Sequence, residues 1–187
     1  MRVDEIKPNA DLRILLLDLN QLSQTGRERE KEGIQILLQK EFSGNPVSLN
    51  YDVHGKPFLE NSSEFISISH SKDILALAIS SKNIGVDIEM LSDKAEKVKN
   101  KFLSKKELTA LINGPNIIYT IYWSAKEVLY KLNGKKGFSL KNNFYIFPFK
   151  FKSNGGKLKG LIVSDQSNIE ISMRYFIKDN FVIVYSL

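Results

Sequence analysis

Apolar residues between positions 117 and 132 recur at the spacing of an α-helix. Drawn at about 100° per residue, Ile121, Ala125, Val128, Leu129 and Leu132 fall on one broad stripe, which marks the face that meets a core. Trp123, Glu127 and Lys131 fall at i, i+4 and i+8 on the far side, with Lys126 and Tyr130 beside them, and "NGKKG" ends the element. A second helix is predicted over 28–42, with Ile34, Leu37, Leu38 and Phe42 apolar and Ser43-Gly44 as its stop. The stretch "EFISISHSKDILALAIS" (64–80) instead alternates with period two, passes a polar His-Ser-Lys-Asp turn and resumes as an apolar run, the pattern of a β-hairpin. "NIGVDIEM" continues as a strand in which Val86 and Ile88 point one way while Asp87 and Glu89 point the other.

"GKPFL" at 55–59 has turn chemistry in Gly55 and Pro57, so Lys56 is expected on a stiff, exposed bend. Residues 91–112 return to helical spacing, and "GPN" at 114–116 breaks it. From 144 to 187 the pattern is again that of strands, closing with "IEISMRYFIKDNFVIVYSL", a strand, polar turn and strand that echo residues 64–80 down to the Lys-Asp of the turn. A helix and a strand–turn–strand unit in each half read as α+β and are compatible with two similar lobes, residues 1–90 and 91–187, with no low-complexity linker between them; a single echo of this length is equally compatible with no repeat.

With 187 residues and 42% hydrophobic content the chain can bury a core. It has no cysteine, which excludes a disulfide framework, a thiolate metal site and a thiol nucleophile, and suits a reducing cytoplasm. The N-terminal stretch holds only the short apolar run Ile14–Leu17, ended by Asp18, so it does not read as a signal peptide. Nor does any run of 18 apolar residues suggest a membrane span. The net charge of +6 points to an anionic partner. The excess is uneven: "DKAEKVKNKFLSKK" (93–106) carries six lysines against Asp93 and Glu96. Nucleic acid, an anionic membrane surface, an acidic protein and a merely solvated helix face are all compatible with it.

Asp87 and Glu89 are the sharpest local signal. Two carboxylates two residues apart on a strand share a face and repel unless a cation sits between them. Mg²⁺ suits that arrangement, because it takes one or two protein carboxylates and completes its shell with water and phosphate oxygens. A solvated strand face is the plainer alternative. Glu127 adds a third oxygen ligand if its helix packs across the strand. Lys56, Ser69, His70, Lys126 and Lys131 are groups suited to phosphate oxygens. Neither "GxxxxGK[ST]" nor "GxGxxG" occurs, so any phosphate site would be built from side chains.

Taken in order, "GKP", "SISHS", "GVDIE", "FLSKKE" and "WSAKEVLYK" resemble the sequential motifs of the Sfp-type 4′-phosphopantetheinyl transferases, of the holo-acyl-carrier-protein synthase superfamily. The resemblance covers roughly residues 50–137, and Glu127 follows Asp87 by 40 residues. It implies two lobes related by a pseudo-twofold axis, with the active site in the cleft between them. It also implies coenzyme A as substrate, Mg²⁺ as cofactor, transfer of the phosphopantetheine arm to a serine of an apo acyl or peptidyl carrier protein, and release of adenosine 3′,5′-bisphosphate. Carried over by motif, Asp87, Glu89 and Glu127 hold the metal and Glu127 is also the base, directly or through water. Lys131 meets the departing phosphate and Lys126 the phosphates, while Lys56, Pro57, Ser69 and His70 meet the nucleotide end of coenzyme A. Relatives often carry an arginine in the first helix for the 3′-phosphate; rough alignment puts Gln35 there, with Arg27 and Arg29 as substitutes.

Carrier proteins of this kind are acidic along their recognition helix, which gives the 93–106 stretch a partner. Fatty-acid, polyketide and peptide-synthesis carriers all fit, and a cytoplasmic monomer that engages neither nucleic acid nor membrane is expected. Two other readings remain, a Mg²⁺-dependent nuclease and a non-catalytic basic module that docks on an acidic protein.

Overall fold

The run Ile14–Leu17 lies inside a β-sheet. In the computed structural model, which describes residues 2–111 and 114–187, strand β2 (Leu12–Asp18) is an inner strand, paired with β1 (Val3–Asn9) on one side and β6 (Ile74–Ser80) on the other. An inner strand packed on both faces reads as a continuous apolar run. β1 escapes the periodicity argument because its polar residues and Pro8 suit an edge strand, where a missing N–H costs no ladder bond.

The sheet order is β1-β2-β6-β5, with β5 spanning Phe65–Ser71. The β5–β6 hairpin turns on Lys72-Asp73, two residues where four were expected, so His70 and Ser71 remain in the strand. Helix α1 (Gly26–Glu41) buries Gly33, Ile34, Leu37 and Leu38. A Cβ on Gly33 would stand 2.7 Å from Leu19 Cδ2 and 3.1 Å from Leu75 Cδ2, so glycine lets the helix lie close on the sheet. A separate ribbon pairs β3 (Ser48–Tyr51) with β4 (Pro57–Glu60).

The chain divides into two compact units, Met1–Ile88 and Glu89–Leu187. Strand β7 (Val86–Met90) carries the chain from one to the other. In the second unit, three short helices replace the single one predicted over 91–112: α2 (Lys94–Lys97), α3 (Lys99–Phe102) and α4 (Lys105–Ala110). The last residue of the predicted span, Ile112, lies outside the described residues. The break has a local cause. Leu103 is extended, and Ser104 starts a new helix by accepting from Glu107 N while the Glu107 carboxylate accepts from Ser104 N, a capping box in mid-pattern.

Helix α5 (Ile117–Asn133) packs on strands β8 (Phe144–Ile146), β9 (Gly156–Val163), β10 (Asn168–Lys178) and β11 (Phe181–Ser186). Its core side chains Ile121, Ala125, Val128 and Leu129 are buried with Phe144, Ile146, Met173 and Val184. Gly160 repeats the role of Gly33, since a Cβ there would meet Leu129 Cδ1 at 2.7 Å and Met173 Cε at 2.8 Å. The β10–β11 hairpin turns on Asp179-Asn180, both with positive φ, the type I′ geometry of two-residue hairpins. The fold is α+β, as expected, each unit having a long helix against an antiparallel sheet. No helix among the described residues is long and apolar enough to cross a membrane.

Candidate active site

The outer stripe of α5 is narrower than its charges suggest. Ten of its seventeen residues are buried, and Trp123, Glu127, Tyr130 and Lys131 are among the seven that are half-buried. Lys126 belongs to the buried set, at 0% exposure. Its Nζ donates to Glu107 Oε2 at 2.8 Å and to the carbonyls of Phe102 (2.8 Å), Leu140 (3.0 Å) and Phe144 (2.7 Å). An ammonium has three protons, and these acceptors consume them. Burial pulls the Lys126 pKa below its ordinary value while the Glu107 carboxylate opposes the shift.

Glu107, 1% exposed, accepts in addition from Ile146 N at 2.9 Å. Lys126 and Glu107 therefore tie α3, α4, α5, the segment before β8 and β8 itself into one buried lock. The expectation that Lys126 meets phosphate does not fit this placement, because no donor is left to offer.

Trp123 also differs from a residue waiting for a ligand. Its Nε1 donates to Glu89 Oε1 at 3.0 Å, and its ring meets Phe102 edge-on at 5.1 Å. The cavity beside it, lined by Glu89, Met90, Thr120 and neighbours, has about 30 Å³, room for water only. The only tryptophan of the chain thus orients a carboxylate of β7.

The other β7 carboxylate is oriented from β5. Asp87, 4% exposed, accepts at Oδ1 from Ser69 Oγ at 2.8 Å, and Ser69 Oγ in turn accepts from Ile88 N at 3.3 Å. Two residues earlier, Ser67 Oγ accepts from Val86 N at 3.0 Å. The alternate serines of "SISHS" form a side-chain ladder that fastens β7 beside β5. Ser69, expected at the nucleotide, is engaged with Asp87 instead, and Ser67 was missed. The period-two alternation shows that Ser67 and Ser69 share a face, but not what that face meets.

His70 Nε2 lies 3.2 Å from Glu30 Oε1 of α1. Lys56 is half-buried rather than presented on an exposed bend: its Nζ donates to Asn83 Oδ1 at 2.7 Å, its N–H to Asp52 Oδ1 at 2.9 Å, and Pro57 opens β4. Burial pulls the Lys56 pKa down, with Asp52 opposing. Of the arginines near the first helix, Arg29 pairs with Asp73 at 2.9 Å and Arg27 is exposed; Gln35 lines an 840 Å³ cavity with Ile34 and Leu38. In the lysine-rich stretch Lys97 pairs with Asp93, Lys99 pairs with Glu96 and caps the Tyr119 ring, and Lys94, Lys101, Lys105 and Lys106 are exposed.

Among the described residues no group of three or more His, Cys, Asp or Glu is gathered closely enough to hold a metal. Asp87 and Glu89 remain two residues apart on β7, each held by a hydrogen bond from a neighbouring side chain.

Comparison with known families matches residues 83–185, more than half of the chain, to the 4′-phosphopantetheinyl transferase superfamily. The chain belongs to that superfamily. Over 97 residues it is 32% identical to the 4′-phosphopantetheinyl transferase gsp of Aneurinibacillus migulanus, a match that covers 50% of this chain and 40% of that protein. The family match contains Asp87, Glu89, Glu107, Trp123, Lys126, Glu127 and Lys131.

Proposed function

We propose that the chain transfers the 4′-phosphopantetheine arm of coenzyme A to the serine hydroxyl of an apo carrier protein and releases adenosine 3′,5′-bisphosphate. Membership of the superfamily over 83–185 carries this reading. It is supported by two carboxylates held by hydrogen bonds on β7 and by the half-buried Glu127 and Lys131 on one flank of α5.

Asp87, Glu89 and Glu127 are an oxygen-only donor set, and hydrogen bonds from Ser69 and Trp123 orient the first two, as neighbouring donors commonly orient carboxylates that hold a metal. Mg²⁺ would take one or two of these carboxylates and complete its shell with water and phosphate oxygens. When bound, Mg²⁺ neutralises charge on the pyrophosphate. Glu127 takes the proton of the carrier serine, directly or through water, as its oxygen forms the new bond to phosphorus. Lys131 stabilises the leaving phosphate, which keeps the electron pair of the broken P–O bond. Lys56, Pro57 and His70 face the nucleotide end, and the exposed lysines of 93–106 meet the acidic carrier. The enzyme works as a cytoplasmic monomer, and fatty-acid carriers are its first candidates.

The test is the intact mass of an apo acyl carrier protein incubated with this protein, coenzyme A and Mg²⁺, with and without EDTA. The expected result is a gain equal to the phosphopantetheine arm that EDTA abolishes. No gain on fatty-acid, polyketide or peptide carriers overturns the reading.

A further inference from the structure

The sheet of the second unit carries a row of like charges. In the β9–β10 register Lys157 stands directly opposite Arg174, and Arg174 in the β10–β11 register stands opposite Tyr185. Cations opposed across an antiparallel pair repel, and such pairs are destabilising. Two residues along β9, the same sheet handles its charge differently: Lys159 pairs with Glu170 at 2.6 Å. Among the described residues the Lys157–Arg174 row has no such carboxylate beside it: the cavity above it, about 580 Å³, is lined by Lys150, Lys152, Lys157 and Arg174 with no aspartate or glutamate. That volume lies within the roughly 300–1,000 Å³ of small-molecule sites.

The cavity wall is fixed. Phe149 and Phe151 pack against the Tyr175 ring, at 5.5 and 6.4 Å between centroids, and the alternation of the segment leaves Lys150 and Lys152 exposed. The Tyr175 hydroxyl accepts from Lys152 N at 2.7 Å and donates to Lys152 O at 3.0 Å, clamping the segment by its backbone. Gly155 completes the seat with φ +105° and no Cβ, since a Cβ would lie 2.5 Å from Tyr175 O. Such a wall loses little entropy when an anion arrives.

We propose that this cradle binds the phosphate group of a small phosphorylated ligand, with the Arg174 guanidinium as its forked donor and Lys150, Lys152 and Lys157 as point charges. All of its residues lie within the second unit, and the site is independent of the transfer reaction proposed above.

The test is titration of the ¹⁵N-labelled full chain with inorganic phosphate, against chloride at matched ionic strength. Saturable amide shifts at Lys152–Lys157 and Arg174 are expected with phosphate alone. The double variant Lys157→Gln/Arg174→Gln should weaken them at least about tenfold, as loss of charge-assisted hydrogen bonds requires, whereas Lys131→Ala should leave them intact. Because both replaced residues are exposed and repel one another, the variant should melt no lower than the parent. Equal responses to phosphate and chloride, absence of saturation, or unchanged binding by the double variant would each overturn the proposal.

Discussion

Helices α1 and α5 lie on similar sheets but are used differently. α1 buries four of its sixteen residues and meets water with most of the rest, so its charged side chains, such as Arg29 with Asp73, sit at the rim. α5 buries ten of seventeen, among them Ser124 and Lys126. A helix so enclosed has no room for an unpaired charge, and its lysine is matched by Glu107 and three carbonyls. The charged residues of α1 are exposed or half-buried, none of them fully enclosed. On α5 it is divided, structural at Lys126 and chemical, in the proposed reaction, at Glu127 and Lys131.

The sharpest way to break this comparison is Lys126→Ala. It strands the Glu107 carboxylate and three carbonyls, and should cost about 3–5 kcal/mol in urea unfolding; a loss like that of a surface ion pair would refute the lock. Ser69→Ala comes next, removing a hydrogen bond to the buried Asp87 at about 1–3 kcal/mol, and transfer should fall with it because Asp87 loses its orientation. Trp123→Phe should cost about 1 kcal/mol, the worth of one hydrogen bond. The parent tryptophan offers a metal readout besides activity: its fluorescence should change on adding Mg²⁺ if Glu89 is a ligand, and a flat titration would remove Glu89 from the set.

On α1 the matched change, Arg29→Ala, should cost at most about 1 kcal/mol. Smallest at neutral pH is Tyr122→Phe. Burial raises the Tyr122 pKa well above the ordinary 10.0. Above pH 10 the unfolded chain therefore loses a proton that the folded chain keeps, and stability falls as pH rises. The Phe variant should flatten that alkaline decline, as followed by thermal melts between pH 9 and 11.

What the sequence shows of this division follows from the reach of periodicity. Ile121, Ala125, Val128 and Leu129 were legible as the core face of α5, and the hairpins at 64–80 and 169–187 were legible from alternation and turn residues. Lys126 was not, because its wheel position beside Tyr122 lies at the edge of the apolar stripe and its partner stands 19 residues upstream. The capping signature Ser104-Lys-Lys-Glu107 was available as a helix start, and would have split the 91–112 helix and drawn attention to Glu107. β1 was hidden by its edge-strand polarity. The bonds Ser69–Asp87 and Trp123–Glu89 span 18 and 34 residues, a range on which local spacing carries no information. The motifs identified the family, whereas the partners of Ser69, Trp123 and Lys126 within them came from the fold.

The most direct test sets Lys126→Met beside Glu127→Gln, two neighbours on one helix, and measures carrier-protein mass gain and urea unfolding for both. The account predicts that Glu127→Gln keeps the parent's unfolding midpoint and loses transfer, while Lys126→Met lowers the midpoint. Transfer retained by Glu127→Gln, or an unchanged midpoint in Lys126→Met, would contradict it.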